Sequence, residues 1–170
     1  DRLTLYAVSD DDTSIVSKIK TGLTSSRELK LPISPQSIAG YVAFSRKLLN
    51  LADVYDVEAL KQIHPQLAFL QEVDKRSGYR TKQMLVSPII EGGNLYGVLQ
   101  VINNKADQPF SELDVKGVVQ LCKTLATAIR TRMHKTDEPQ RIRATKYDGL
   151  VADGLITGTE LQDCVQEARN

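Results

Sequence analysis

The 170-residue chain reads as an α+β fold, an α/β sandwich whose six-stranded antiparallel sheet is covered by helices. Three observations predict it. Residues alternate in polarity through two runs split by Asp10-Asp11-Asp12. Two apolar runs flank Gly92-Gly93-Asn94. A long helical pattern opens at Ser111.

Leu3, Leu5 and Ala7 alternate with Arg2, Thr4 and Tyr6, the period-two pattern of a half-buried strand. The aspartates make a turn, and Ile15, Ser17 and Ile19 complete a hairpin. Gly22 and Thr24-Ser25-Ser26 form a second turn. Leu29, Leu31 and Ile33 give a third strand, which Pro32 demotes near its end. Pro35 and Ser37 open a short helix over 36–46, and a short strand follows over 48–53. Asp56 caps a helix over 57–63. A second helical stretch follows Pro65 and breaks at Ser77-Gly78. The runs 84–90 and 95–103 form a hairpin. Its second run is apolar on both faces, which predicts a central strand covered by helices. Gly97 within it predicts close approach of another backbone.

Ser111-Glu112-Leu113-Asp114 is a capping box, and it starts a helix over 111–134. Val115, Val118, Cys122, Leu125 and Ile129 form a heptad-like stripe along it. That stripe suits a sheet contact or a partner helix of a homodimer equally. Charged residues around Pro139 read as a linker over 136–145. Beyond it, Leu150, Val151, Leu155, Ile156, Leu161 and Val165 suggest a helical fragment over 146–170, the start of a second domain. The first domain takes 1–135.

Composition excludes several classes. Hydrophobic residues make up 41% and charged residues 25%, as in soluble globular proteins. A net charge of +1 gives no electrostatic case for a nucleic-acid partner. The basic residues Arg130, Arg132, His134, Lys135, Arg141, Arg143 and Lys146 read as a solvated helix end. Cys122 and Cys164 stand alone, so neither a disulfide framework nor a zinc site follows, and a reducing, cytoplasmic compartment is expected. No apolar run approaches the roughly 20 residues that span a bilayer. The chain opens at Asp1, directly in a strand pattern, so an excised fragment is expected. Enzyme chemistry finds no support in the motifs. There is no G-x-x-x-x-G-K-[ST] loop, no metal-ligand spacing around His64 or His134, and no nucleophile–base pair.

The order of elements over residues 1–133 resembles a GAF domain, with the family's opening helix falling before Asp1. Leu31-Pro32 with Ser37-Ile38-Ala39-Gly40-Tyr41-Val42-Ala43 is similar to the family's strand-to-helix junction, and Leu51-Ala52-Asp53-Val54-Tyr55 to its following strand and acidic turn. Val73-Asp74-Lys75-Arg76-Ser77-Gly78-Tyr79-Arg80-Thr81, with Asn104, Lys105, Phe110 and Asp114, resembles the subgroup found in cyclic-nucleotide phosphodiesterases and cyanobacterial adenylyl cyclases. The resemblance implies a regulatory small-molecule sensor, not an enzyme, with no cofactor and a cyclic nucleotide as the candidate ligand. It puts that ligand near Ser37, Ile38, Ala39, Asp74, Ser77, Tyr79 and Thr81. First-turn N–H groups after Ser37 would hold an anion, hydroxyls of Ser77 and Thr81 would hydrogen-bond it, and Asp74 would accept from a ribose or base. Asp74, Ser77 and Thr81 read equally as turn and cap residues. Lys105 and Asp114 match an ion pair of the family. The subgroup's purine-reading acid falls near Lys18 to Lys20 and its pocket aromatic at Leu70, which implies a changed or lost ligand. A ligand-free dimerisation module is the alternative.

Tyr147-Asp148-Gly149-Leu150-Val151-Ala152-Asp153-Gly154-Leu155-Ile156-Thr157, with Leu161, resembles the opening of the N-terminal domain of type II secretion and type IV pilus assembly ATPases. It implies that secretion or pilus machinery is the partner.

Overall fold

A computed structural model of the chain describes residues 2–21 and 28–152, with side chains of the last helix to residue 132. The turn expected at Gly22 to Ser26 lies outside the described residues. So do Cys164 and the apolar positions expected from Leu155 to Val165.

Six strands form one antiparallel sheet: β1 (Arg2–Val8), β2 (Ser14–Lys20), β3 (Lys30–Pro32), β4 (Leu49–Leu51), β5 (Met84–Glu91) and β6 (Asn94–Ile102). Their order is β3-β2-β1-β6-β5-β4. Pro32, which lacks a donor, therefore lies on an edge strand, and the doubly apolar β6 lies inside. Gly97 pairs with Ala7 across the β1–β6 ladder, and a Cβ there would collide with the Tyr6 carbonyl. The expected close backbone approach is that of β1.

Four helices are described: α1 (Ile38–Ser45), α2 (Val57–Ile63), α3 (Glu72–Ser77) and α4 (Glu112–Ala152). Local chemistry sets their ends. Ser37 Oγ accepts from Gly40 N at 3.2 Å to cap α1, and Asp56 Oδ1 accepts from Ala59 N at 3.0 Å to cap α2. Gly78 ends α3 in the left-handed region, at φ 65°. Ser111 and Asp114 form the expected capping box: Asp114 N donates to Ser111 Oγ at 3.2 Å, and Ser111 N to Asp114 Oδ2 at 2.8 Å. That backbone bond holds the Asp114 carboxyl below its ordinary range. Among the described residues, Asp114 makes no ion pair with Lys105; Ser111 takes its place.

Two further expectations differ. The stretch after Pro65 is not helical until Glu72. Leu67 is buried in the core and Ala68 makes an isolated parallel bridge to Ser37, so tertiary contacts hold this irregular segment against the start of α1. The 136–145 stretch, expected as a linker, lies within α4. Its Arg, Gln, Glu and Ala residues are good helix formers, and they offset the single N–H that Pro139 lacks. The chain divides into two compact units, Asp1–Thr127 and Ala128–Asn170.

The main core lies on one face of the sheet, where Ile38, Val42 and Ala43 of α1 pack with Tyr6, Met84, Val86 and Val98. Leu85, Ser87 and Leu99 alternate to the opposite face and are also buried. There Ser87 hydrogen-bonds Cys122 of α4, whose thiol is pushed up by burial. Both faces are therefore covered. Leu113 and Leu121 of α4 stay exposed.

Candidate functional site

A cavity of about 690 Å³ opens between the sheet and the helical side. Its floor is β1, β6 and the start of β5. One wall is the first turn of α1, and another is the segment from Phe69 to Thr81. Ser37, Ile38, Ala39, Asp74, Ser77 and Thr81, six of the seven residues picked out in the sequence, line it. Tyr79 is not among the lining residues. The Arg2 guanidinium lies 3.5 Å over its ring, and its hydroxyl accepts from Asn103 Nδ2 at 2.9 Å. Asn103 also accepts from Lys82 N, so Tyr79 belongs to a clasp between the β5 approach and the end of β6.

The hydroxyls on the helical side are already committed. Ser77 Oγ donates to Val73 O at 2.8 Å, within its own helix. Thr81 Oγ1 donates to Asp74 Oδ1 and Thr81 N to Asp74 Oδ2, both at 2.7 Å. Tyr55 Oη donates to Asp74 Oδ2 at 2.9 Å. The buried Asp74 carboxylate thus receives three protein donors and ties α3 to the chain entering β5. Burial first, and then the bond to Asp74, raise the Tyr55 phenol above its ordinary range. The ring of Phe69 meets Tyr55 edge-on at 5.2 Å.

The floor is the reverse case. Thr4, Tyr6 and Gln100 are only 4%, 3% and 9% exposed and line the cavity. Thr4 and Gln100 are register partners across β1 and β6. None of these three side chains has a hydrogen-bond partner among the described residues. Burial alone pushes the Tyr6 phenol up to about 12. The sequence signal for them was present but read with the opposite polarity. Thr4 and Tyr6 are the fully buried positions of β1, while Leu3, Leu5 and Ala7 are half-buried.

Charges ring the mouth. Lys20, Lys30 and Arg76 line it with Glu28 and Glu72. Glu28 is held by Lys18 at 2.8 Å, and Arg76 reaches Glu72 at 3.5 Å. Leu70 and Val73, both exposed, add an apolar rim. No His or Cys lines the cavity, and no group of His, Cys, Asp or Glu suited to a metal occurs among the described residues. No described helix is long and apolar enough to cross a membrane.

A six-stranded antiparallel sheet covered by helices, with a cavity on one face, defines an α/β sandwich that encloses a site. The sequence profile of the GAF domain family matches residues 1–129, and the chain belongs to that family. It is 41% identical over 80 residues to the dual 3′,5′-cyclic-AMP and -GMP phosphodiesterase 11 of Drosophila melanogaster, covering 46% of this chain and 5% of that protein. It is 30% identical over 125 residues to a probable 3′,5′-cyclic phosphodiesterase, pde-5, of Caenorhabditis elegans, covering 67% of this chain and 16% of that one. The chain thus spans a small part of these relatives' length. Among solved structures, the GAF domain of a phosphoenolpyruvate-protein phosphotransferase from Coxiella burnetii superposes with a TM-score of 0.64 at 26% identity. The match covers 81% of this chain and 76% of that one.

Proposed function

We propose that the domain is a regulatory sensor that binds a small molecule, of the cyclic-nucleotide class, in the cavity above β1 and β6. One observation carries this reading: a cavity of about 690 Å³, within the size range of ligand sites, whose floor holds polar groups without protein partners. The first turn of α1 supports it. Ile38 and Ala39 lie on the cavity wall, where helix N–H groups and the helix dipole favour an anion such as a cyclic phosphate. Asp74 then serves as a positioning residue, holding the 72–81 roof in place. Binding would order the 62–81 segment and bias α4, which carries the change to an effector; a ligand has to prefer one state for this to work.

The reading makes the domain a binding module and not an enzyme. The hydroxyls of Ser37, Ser77 and Thr81 act in caps and turns, and no His is among the described residues that line the cavity. A cytoplasmic setting fits a sequence with only two cysteines, far apart and without a CxxC spacing. The likeness of the tail to secretion and pilus ATPases proposes the effector, and a P-loop signature in the parent chain tests it.

Calorimetry with 3′,5′-cyclic AMP, 3′,5′-cyclic GMP and cyclic dinucleotides tests the main reading. Heat of binding at micromolar affinity is expected from one cyclic mononucleotide, and silence throughout overturns it. The second reading, a homodimerisation module, is favoured by Leu113 and Leu121, which are 79% and 43% exposed on α4. Light scattering on Leu121→Glu should halve a dimer's mass, and an unchanged mass removes this reading.

A further inference from the structure

We propose that Tyr55, which does not itself line the cavity, is the positioning residue of the cavity's helical wall. One side chain fixes two lining residues, Phe69 ahead of α3 by a ring contact and Asp74 within α3 by a hydrogen bond. The inference rests on the sensor reading and names what keeps that site in shape.

Four features lead there. First, the backbone is anchored before the side chain reaches anything. Val54 is fully buried and its N donates to Lys82 O at 2.9 Å, while Tyr55 N donates to Asp53 Oδ1 at 2.9 Å. Second, the side chain grips the wall from behind at two points. Its Oη donates to Asp74 Oδ2 at 2.9 Å, and its ring meets Phe69 at 5.2 Å. Leu70, Glu72 and Val73 also line the cavity, and they lie between those two points in the chain. Third, the phenol completes Asp74. The carboxylate's other two donors, an N–H and a hydroxyl, both come from Thr81. Without Tyr55, a buried carboxylate on the wall keeps an acceptor site that only the cavity side could fill. Fourth, the ring is held from the far side. The Arg80 guanidinium lies 4.4 Å over it and reaches Asp53 at 4.0 Å. That outer pair is largely exposed, so it contributes orientation more than energy. The charged groups facing the phenol are thus Asp74 of α3, Arg80 ahead of β5 and Asp53 of its own turn. Burial and then Asp74 keep it in its donor form.

The test uses the 170-residue chain with Tyr55→Phe, Asp74→Asn and the two combined. Amide hydrogen exchange of the ligand-free proteins comes first. Tyr55→Phe should speed exchange over 69–78 about fivefold and leave the last turn of α1 unchanged. No change over 69–78, or an equal rise in both regions, would overturn the proposal. NMR on labelled tyrosine then follows the phenol with pH. Tyr55 should titrate above the ordinary tyrosine range, and Asp74→Asn should lower it by removing the facing charge. A phenol indifferent to Asp74 would overturn the link. Calorimetry with 3′,5′-cyclic AMP and 3′,5′-cyclic GMP comes last. A nucleotide that binds wild type should bind Tyr55→Phe about tenfold more weakly. The same change on the Asp74→Asn background should cost less than about twofold, because Tyr55 acts through that carboxylate. Unchanged affinity in Tyr55→Phe, or the full loss on the Asp74→Asn background, would overturn the proposal. Silence of both nucleotides toward wild type would remove the cyclic-mononucleotide reading, and exchange and titration would still decide the role of Tyr55.

Discussion

Two polar sets face one cavity, and they are opposites. On the helical side, the Asp74 carboxylate collects three donors from Tyr55 and Thr81 and is satisfied within the protein. On the sheet side, Thr4, Tyr6 and Gln100 are as deeply buried and have no such partners among the described residues. Equal burial therefore carries opposite meanings. The first set ties α3 to the chain entering β5, and the second faces the cavity. A buried polar residue is informative only once its hydrogen bonds are counted.

Stability measurements can break that contrast. The largest effect is expected from Asp74→Ala, which strands the donors of Tyr55 and Thr81. Chemical denaturation should show a loss of about 3 kcal/mol; a loss below about 1 kcal/mol would place Asp74 with the floor instead. Alkaline titration comes next. Folding holds the Tyr6 phenol near 12, against about 10 when unfolded, so the full contribution is present below pH 10 and is lost as pH rises through 12. That loss amounts to about 2–3 kcal/mol by the free energy of two pKa units. Tyr6→Phe should abolish this alkaline step, and its persistence in the variant would trace it elsewhere. Thr81→Val removes one of Asp74's donors and should cost about 1–2 kcal/mol in a urea melt. The smallest effect is expected on the floor at neutral pH: ligand-free Thr4→Val should stay within about 0.5 kcal/mol of wild type. A cost as large as that of Thr81→Val would end the distinction between the two sets.

Much of the fold was legible because local chemistry and tertiary packing agree. Asp56 fixes α2 at the expected residues, the Ser111–Asp114 box opens α4, and Gly92-Gly93 turns the β5–β6 hairpin. The cavity wall was legible too, since Ser37 and the 73–81 segment carry recognisable caps and turns. The floor was not. Alternation shows that β1 has two faces without showing which is inner, because helices cover both sides of the sheet and a polar cavity lies on one. Leu3 and Leu5 suggested an inward apolar face, while the deeper face holds Thr4 and Tyr6. Tyr79 was drawn into the site by its neighbours in sequence, and its pairing with Arg2 and Asn103 depends on contacts distant in the chain. The non-helical path of 67–70 likewise depends on Ala68 meeting Ser37, which no local pattern encodes.

The outermost strands of the sheet, β3 and β4, are three residues long each, and β3 ends in Pro32. Rims so short, one interrupted by an imino acid, make poor templates for another backbone to add onto. Ladder-to-ladder polymerisation is thereby discouraged at both margins. Association between copies is steered toward side-chain surfaces, where a single substitution can tune or abolish it.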